Sequence, residues 1–197
     1  MRKFTEHTGV AMPLKQTNVD TDQIIPSKYL KRVTRTGFED ALFADLRHED
    51  GFPLDDPQFS GASILVAGAD FGTGSSREHA VWALMDHGFK VVISPRFADI
   101  FRGNCGKAGL LAARLGRAEV EDIWDALDEN PGMQMTVTLA SQSIQCGEKE
   151  YAFEIDSYVK WRLAEGLDDI DLTLQADTAI TSYEVQRPAF LPQIEAS

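Results

Sequence analysis

Cysteine is nearly absent from this 197-residue chain, with Cys105 and Cys146 its only two. A pair so widely spaced sets up no disulfide framework, and a reducing cytoplasm is the expected compartment. Two thiols also fall short of a four-cysteine zinc site or, alone, of a conventional iron–sulfur cluster. Basic residues are scarce too: 19 Lys and Arg stand against 31 Asp and Glu, a net charge of −12. That balance argues against nucleic acid, which is bound largely through Lys and Arg, and against an anionic membrane surface. No apolar run approaches the roughly 20 residues that span a bilayer; stretches such as Ile64–Ala67 are far shorter. Met1-Arg2-Lys3 is followed by Phe4-Thr5-Glu6-His7-Thr8, which is no apolar signal core. Internal repeats and low-complexity tracts are missing as well.

What is present is a chain 43% hydrophobic and 25% charged, ordinary for a soluble protein with a real core. Its length fits one domain over residues 1–197. Gly9–Gln16 reads as a strand, followed by the polar turn Asn18-Val19-Asp20-Thr21-Asp22. Residues 27–60 are loop-rich, with a short helix expected around Phe38–Phe43 and a charged surface run from Arg47 to Pro53. Ala62–Ala67 is a buried strand, Gly68–Gly74 a glycine-rich loop, and Ser75 opens a helix that Gly88 ends. Val91–Ile93 is the next strand, so this stretch predicts a parallel pair with a crossover helix. A second helix is expected near Phe97–Arg102 and a strand near Leu110–Leu115. Val120, Ile123, Trp124 and Leu127 mark an amphipathic helix. Met133–Leu139 and Tyr151–Ile155 suggest an antiparallel hairpin, with Gly147-Glu148 near its turn. Ser157–Leu163 and Thr173–Val185 read as helices. The fold class is α/β with a mixed sheet.

The chemistry concentrates in Gly68-Ala69-Asp70-Phe71-Gly72-Thr73-Gly74-Ser75-Ser76-Arg77-Glu78-His79-Ala80. A loop between a buried strand and a helix start offers unpaired N–H groups and the positive end of a dipole. Such a place suits a phosphate, a carboxylate or a developing anion, and Arg77 adds a two-pronged carboxylate partner. The plainer reading is that Ser75-x-x-Glu78 is a capping box and no more. The glycine spacing is not G-x-G-x-x-G, no Gly-Lys-Ser/Thr loop is present, and no G-x-S-x-G elbow surrounds Ser75 or Ser76. Asp20-x-Asp22 could pair on a metal, although an Asx turn explains it as well. His7, His48, His79 and His87 lack ligand spacing, His79 caps or packs near the loop, and Cys105, Trp82, Trp124 and Trp161 read as packing.

Three blocks carry a family resemblance. Asn18-Val19-Asp20-Thr21-Asp22-Gln23-Ile24-Ile25-Pro26 resembles the N-terminal signature of the small subunits of isopropylmalate isomerase-type hydro-lyases. Gly72-x-Gly74-Ser75-Ser76-Arg77-Glu78-His79-Ala80 resembles their active-site loop, shared with the last domain of aconitases. Ser94-Pro95-Arg96-Phe97-Ala98-Asp99-Ile100-Phe101, then Asn104 and Gly109-Leu110-Leu111, resembles a third block. Asp70, Ala108 and Ala112 depart from the pattern, and that bears on the substrate more than on the reaction.

The resemblance implies an aconitase-type swivelling domain, a barrel-like mixed β-sheet with flanking helices. It also implies an enzyme that moves a hydroxyl between adjacent carbons of a malate derivative by dehydration and rehydration, interconverting 2- and 3-isopropylmalate in leucine biosynthesis. Related substrates would be those of homoaconitase or of citraconate/2-methylmalate and dimethylmalate dehydratases. A stand-alone anion-binding or regulatory module is the alternative of another class. The implied partner is a large iron–sulfur subunit, in a heterodimer or heterotetramer, whose [4Fe–4S] cluster acts as Lewis acid; this chain itself would bind no cofactor. By the same resemblance Ser75 is the base, Ser76 and Arg77 hold a substrate carboxylate, and Tyr29, Leu30 and Lys31 face the variable substituent. Tyr29 and Leu30 suit an isopropyl group; Lys31, if inward, suits an extra carboxylate.

Overall fold

The computed structural model describes residues 1–188, 190 and 191. Seven strands form one mixed sheet in the order β4-β3-β2-β1-β5-β6-β7. They are β1 (Glu6–Leu14), β2 (Ile64–Ala67), β3 (Val91–Ser94), β4 (Leu111–Arg114), β5 (Gln134–Thr138), β6 (Ser143–Cys146) and β7 (Lys149–Ala152). The first strand joins two unlike halves along its own length. Glu6–Val10 pairs antiparallel with β5, and Ala11–Leu14 pairs parallel with β2. Beyond it β2, β3 and β4 are parallel, while β5, β6 and β7 are antiparallel. The two outer strands then meet: Arg114 at the end of β4 and Glu154 just past β7 exchange backbone hydrogen bonds of 3.2 and 2.8 Å. That contact curls the sheet toward a barrel.

The parallel strands are continuous apolar runs because both their faces are covered. Leu65, Ala67, Val92 and Ala112 enter one hydrophobic cluster, and Ile64, Val66, Val91, Ile93, Leu111 and Ala113 the other. Helices α2 (Glu78–His87) and α3 (Asp99–Ala108) cover the first face. The second face meets α4 (Arg117–Glu129), which buries Val120, Ile123 and Leu127 at helical spacing. Full burial of an aliphatic side chain of this size stabilises by about 1.5–3 kcal/mol. The Trp124 indole N–H donates to the Val66 carbonyl at 2.9 Å, pinning α4 to β2. The antiparallel strands alternate instead, with Met135, Val137, Ile144 and Tyr151 turned inward.

Several expected boundaries move. Phe38–Phe43 is a succession of turns rather than a helix, since Phe43 takes a left-handed φ of 50° that helical hydrogen bonding does not accommodate. Phe38, Ala41, Leu42 and Phe43 are nonetheless buried. The hairpin partner of β5 is β6, not the segment at Tyr151. Gly147-Glu148 instead turns β6 into β7. The third helix runs through Gly103 and Gly106 to Ala108, and a Cβ at Gly106 would stand 2.9 Å from Val159 of α5 (Ser157–Glu165), a close helix approach only glycine permits. The last expected helix is two, α6 (Asp169–Leu174) and α7 (Asp177–Gln186), and neither buries a residue. Trp161, expected to pack, is 41% exposed and meets only Tyr158 among aromatic partners in the described residues. No helix among the described residues is long and apolar enough to cross a membrane.

Candidate functional site

The three sequence blocks lie at the carboxyl ends of β1, β2 and β3, the edge of an α/β sheet where ligands commonly bind. Backbone hydrogen bonds stitch them together. Asn18 N–H donates to Ala69 O, Thr21 N–H to Thr73 O and Gly72 N–H to Val19 O, each at 2.8 Å. Phe71 N–H donates to Arg96 O and Ala98 N–H to Phe71 O, at 3.1 and 3.0 Å. The loop after β2 thus runs between the other two, joined to them by the isolated parallel bridges Asp20↔Thr73 and Phe71↔Phe97. Gly72 allows this packing. Its φ is +81°, and a Cβ there would lie 2.2 Å from Phe101 Cγ. The buried Ser94 hydroxyl reaches the Gly68 carbonyl at 2.7 Å and braces the loop's other end.

The helix after the loop begins at Glu78 with Arg77 as its N-cap, and no side chain caps it. The expected capping box Ser75-x-x-Glu78 is therefore absent, because Ser75 precedes the cap by two residues. Ser75 and Ser76 are exposed. Ser75 is held by its backbone, whose carbonyl accepts from Thr21 Oγ1 at 3.2 Å. Arg77 has a side chain only 15% exposed, and its Nη1 lies 2.5 Å from Asp22 Oδ1. The contact is not aligned as a hydrogen bond, so Nη1 is buried with an unfilled donor. Charge is neutralised there while hydrogen-bonding capacity is left over.

The Asp20-x-Asp22 pair divides its work. Asp20 caps α1 (Thr21–Ile24) in a reciprocal box with Gln23, at 2.7 and 2.9 Å, and Asp22 meets Arg77. Sequence reasoning missed Thr21 and Asp22 as supports of the Ser75 loop; the pattern Asp20-x-x-Gln23 was the available signal. Substituting Asp20 by alanine should cost about 0.5–2 kcal/mol, read by chemical denaturation, with the loss traced to α1. Asp70 takes a left-handed φ of 62°, which Asp and Asn accept best after glycine. Arg96 hydrogen-bonds its carboxylate and holds it below the usual range, tying the β2 loop to the β3 loop.

Tyr29, Leu30 and Lys31 fall in a 3₁₀ turn, Ser27–Lys31, directly after α1. Tyr29 and Leu30 are half-buried against the first hydrophobic cluster, and Lys31 is exposed. The guanidinium of Arg32 sits 4.9 Å from the Tyr29 ring centre, and the Lys28 ammonium 5.3 Å from it. Among the described residues, hydrogen bonds and ion pairs link α1 to the Ser75 loop, whereas the Ser27–Lys31 turn makes none to it.

A [4Fe–4S] cluster does not fit the donors of this chain. Cys105 is fully buried in α3 on one face of the sheet, its thiol pushed well up by desolvation. Cys146 is buried in the other hydrophobic cluster. No group of three or more His, Cys, Asp or Glu is placed to hold a metal among the described residues. His79 packs on Phe38 and Trp82, at 5.5 and 4.6 Å between ring centres.

Comparison with known proteins bears on the same segments. Residues 1–118 match the family model described as the aconitase C-terminal domain, and residues 121–157 one described as LeuD_N. The 3-isopropylmalate dehydratase small subunit of Nocardioides sp. is 63% identical over 196 residues, covering 98% of this chain and 97% of its own. That of Paenarthrobacter aurescens is 60% identical over 193 residues, covering 98% and 96%. Among solved structures, 3-isopropylmalate dehydratase (leuD) from Methanocaldococcus jannaschii superposes with a TM-score of 0.66 at 26% identity, over 91% of this chain and 99% of that one. With matches at this identity along nearly its whole length, the chain belongs to the family of 3-isopropylmalate dehydratase small subunits.

Proposed function

We propose that the chain acts as one unit over residues 1–197, the small subunit of a cytoplasmic 3-isopropylmalate dehydratase that works only with a large iron–sulfur subunit. The observation that carries this reading is an exposed Ser75-Ser76-Arg77 on a loop held rigidly by its neighbours but left open to a second surface. The large subunit's [4Fe–4S] cluster would supply Lewis acidity toward the departing hydroxyl.

The task left to this chain is proton transfer and substrate holding. The proton sits on a carbon beside a carboxylate, and removing it needs a base far stronger than a free serine. Ser75 Oγ takes that proton when its anion is stabilised by the positive start of α2 and the guanidinium of Arg77. Arg77, with donors not consumed by Asp22, and the Ser76 hydroxyl hold a substrate carboxylate. Rehydration then returns the proton to the carbon that lost its hydroxyl while hydroxide adds to the carbon that lost its proton, which gives the isomer.

The test is turnover of a substrate panel with the cognate large chain under anaerobic conditions. Isopropylmalate should show the highest kcat/KM; a tenfold preference, about 1.4 kcal/mol, for homoaconitate or 2-methylmalate would overturn the assignment. Lys31 tests the specificity turn. If its ammonium faces the substituent, Lys31→Val should raise the isopropylmalate-to-homoaconitate ratio and Lys31→Arg lower it, since a charge without a partner is costly in a closed site. Equal ratios in both variants would place this turn outside the pocket.

A further inference from the structure

The exposed apolar residues of this protein are not scattered. Among the described residues, eight of the ten large hydrophobic side chains that stand exposed lie beyond residue 157, among them Ile170, Leu174, Ile180, Tyr183 and Val185. Helices α6 and α7 bury none of their residues. The root of this segment is nevertheless fixed. Asp168 caps α6 in a reciprocal box with Asp171, Arg162 Nη2 meets Asp169 at 2.8 Å, and Leu167 N–H donates to Arg162 O at 3.0 Å. An anchored base therefore carries a ten-residue helix with nothing to rest on.

Such a helix is out of place on an isolated chain. In water, helices shorter than about 12–15 residues are marginal without tertiary packing, and α7 has only 10. Ile180 and Tyr183 share one face at i, i+3 spacing, 37% and 67% exposed. Asp177 and Glu184 are its only charges, and neither has a basic partner among the described residues.

We propose that α6–α7 is a docking arm whose exposed Ile180 and Tyr183 bind the large subunit, in a groove apolar along its floor and lined with Lys or Arg at its rim. This rests on the reading of the chain as a small subunit. A second copy of this chain is a poor occupant, because it brings the same two carboxylates and shares the net charge of −12. A helix about 15 Å long cannot supply the roughly 800 Å² per partner of a stable interface. The arm therefore adds to contacts made around the Ser75 face and sets affinity rather than chemistry.

The test mixes the two purified chains and compares the wild type with I180E/Y183E, which alters exposed positions and should leave the thermal melt unchanged. The variant should bind the large chain at least about tenfold more weakly, while turnover per assembled complex stays within about twofold. In the wild type, amide exchange across Asp177–Gln186 should slow on assembly. An unchanged Kd overturns the arm, as would an isolated wild-type chain that sediments as a dimer and falls apart on I180E/Y183E. A wild-type complex with the arm protected and the variant weakened, but without turnover of isopropylmalate, would uphold the arm and sink the functional reading.

Discussion

Ser75→Ala should leave the stability of the chain within about 0.5 kcal/mol of wild type, as expected of an exposed position outside any cap, and lower turnover by roughly 10²–10⁴-fold, the range of a lost acid–base group. The separation is possible because Ser75 lies two residues outside the helix that it seemed to cap. Had it been the N-cap, alanine would have cost up to about 2 kcal/mol, and lost activity could have been ascribed to a loosened helix. Ser75→Gly and Ser75→Asp should fold and assemble similarly and be as inactive, because neither supplies an alkoxide. The measurement is turnover in the reconstituted complex beside a melt of each variant. Near-normal turnover in Ser75→Gly would end the assignment of Ser75 as base.

Gly72→Ala should be strongly destabilising, because two separate costs fall on one methyl. A left-handed backbone costs an ordinary residue about 1–2 kcal/mol, and forcing a methyl into a packed core adds about 1–3. The second cost arises because the new Cβ would stand 2.2 Å from the Phe101 ring. A total of about 2–5 kcal/mol corresponds to a fall in Tm of roughly 5–15 °C for a domain of this size. Gly37→Ala isolates the first contribution, since Gly37 has a φ of +89° with nothing within 4 Å of the added methyl. G72A/F101L should recover part of the difference between the two. Equal melting temperatures for Gly72→Ala and Gly37→Ala would show that the Phe101 contact costs nothing.

The same loop shows why some of the site was legible in the sequence and some was not. Local signals were readable: the apolar run before Gly68, the glycines after it, and the stop at Gly88, which takes a φ of +120°. The parallel pairing of β2 with β3 followed from the intervening helix. What local signals cannot carry is pairing across distance. Ser75-x-x-Glu78 has the composition of a capping box, but Thr21 and Asp22, some 54 positions earlier, hold the loop in another course. The strand Ser143–Cys146 went unnoticed because its Ser and Gln face outward and only Ile144 and Cys146 turn to the core. The turn at Phe38–Phe43 failed for the opposite reason: its residues are apolar enough for a helix, and burial of all four side chains outweighs the missing helical hydrogen bonds.

The divided loyalty of β1 has a consequence for how the chain is made. Its second half can meet β2 once residue 67 has been synthesised, whereas its first half must wait for Gln134–Thr138. At about 5–20 residues per second the delay between the two is several seconds. In that interval Glu6–Val10 lacks the antiparallel partner that it has in the finished fold. The residues are Glu6-His7-Thr8-Gly9-Val10: one carboxylate, one imidazole, one hydroxyl, one glycine and a single β-branched aliphatic. That composition is poor material for association with a neighbouring nascent chain. The half of β1 that pairs early, Ala11-Met12-Pro13-Leu14, is the half that is fully apolar, so the order of synthesis shields the stickier segment first.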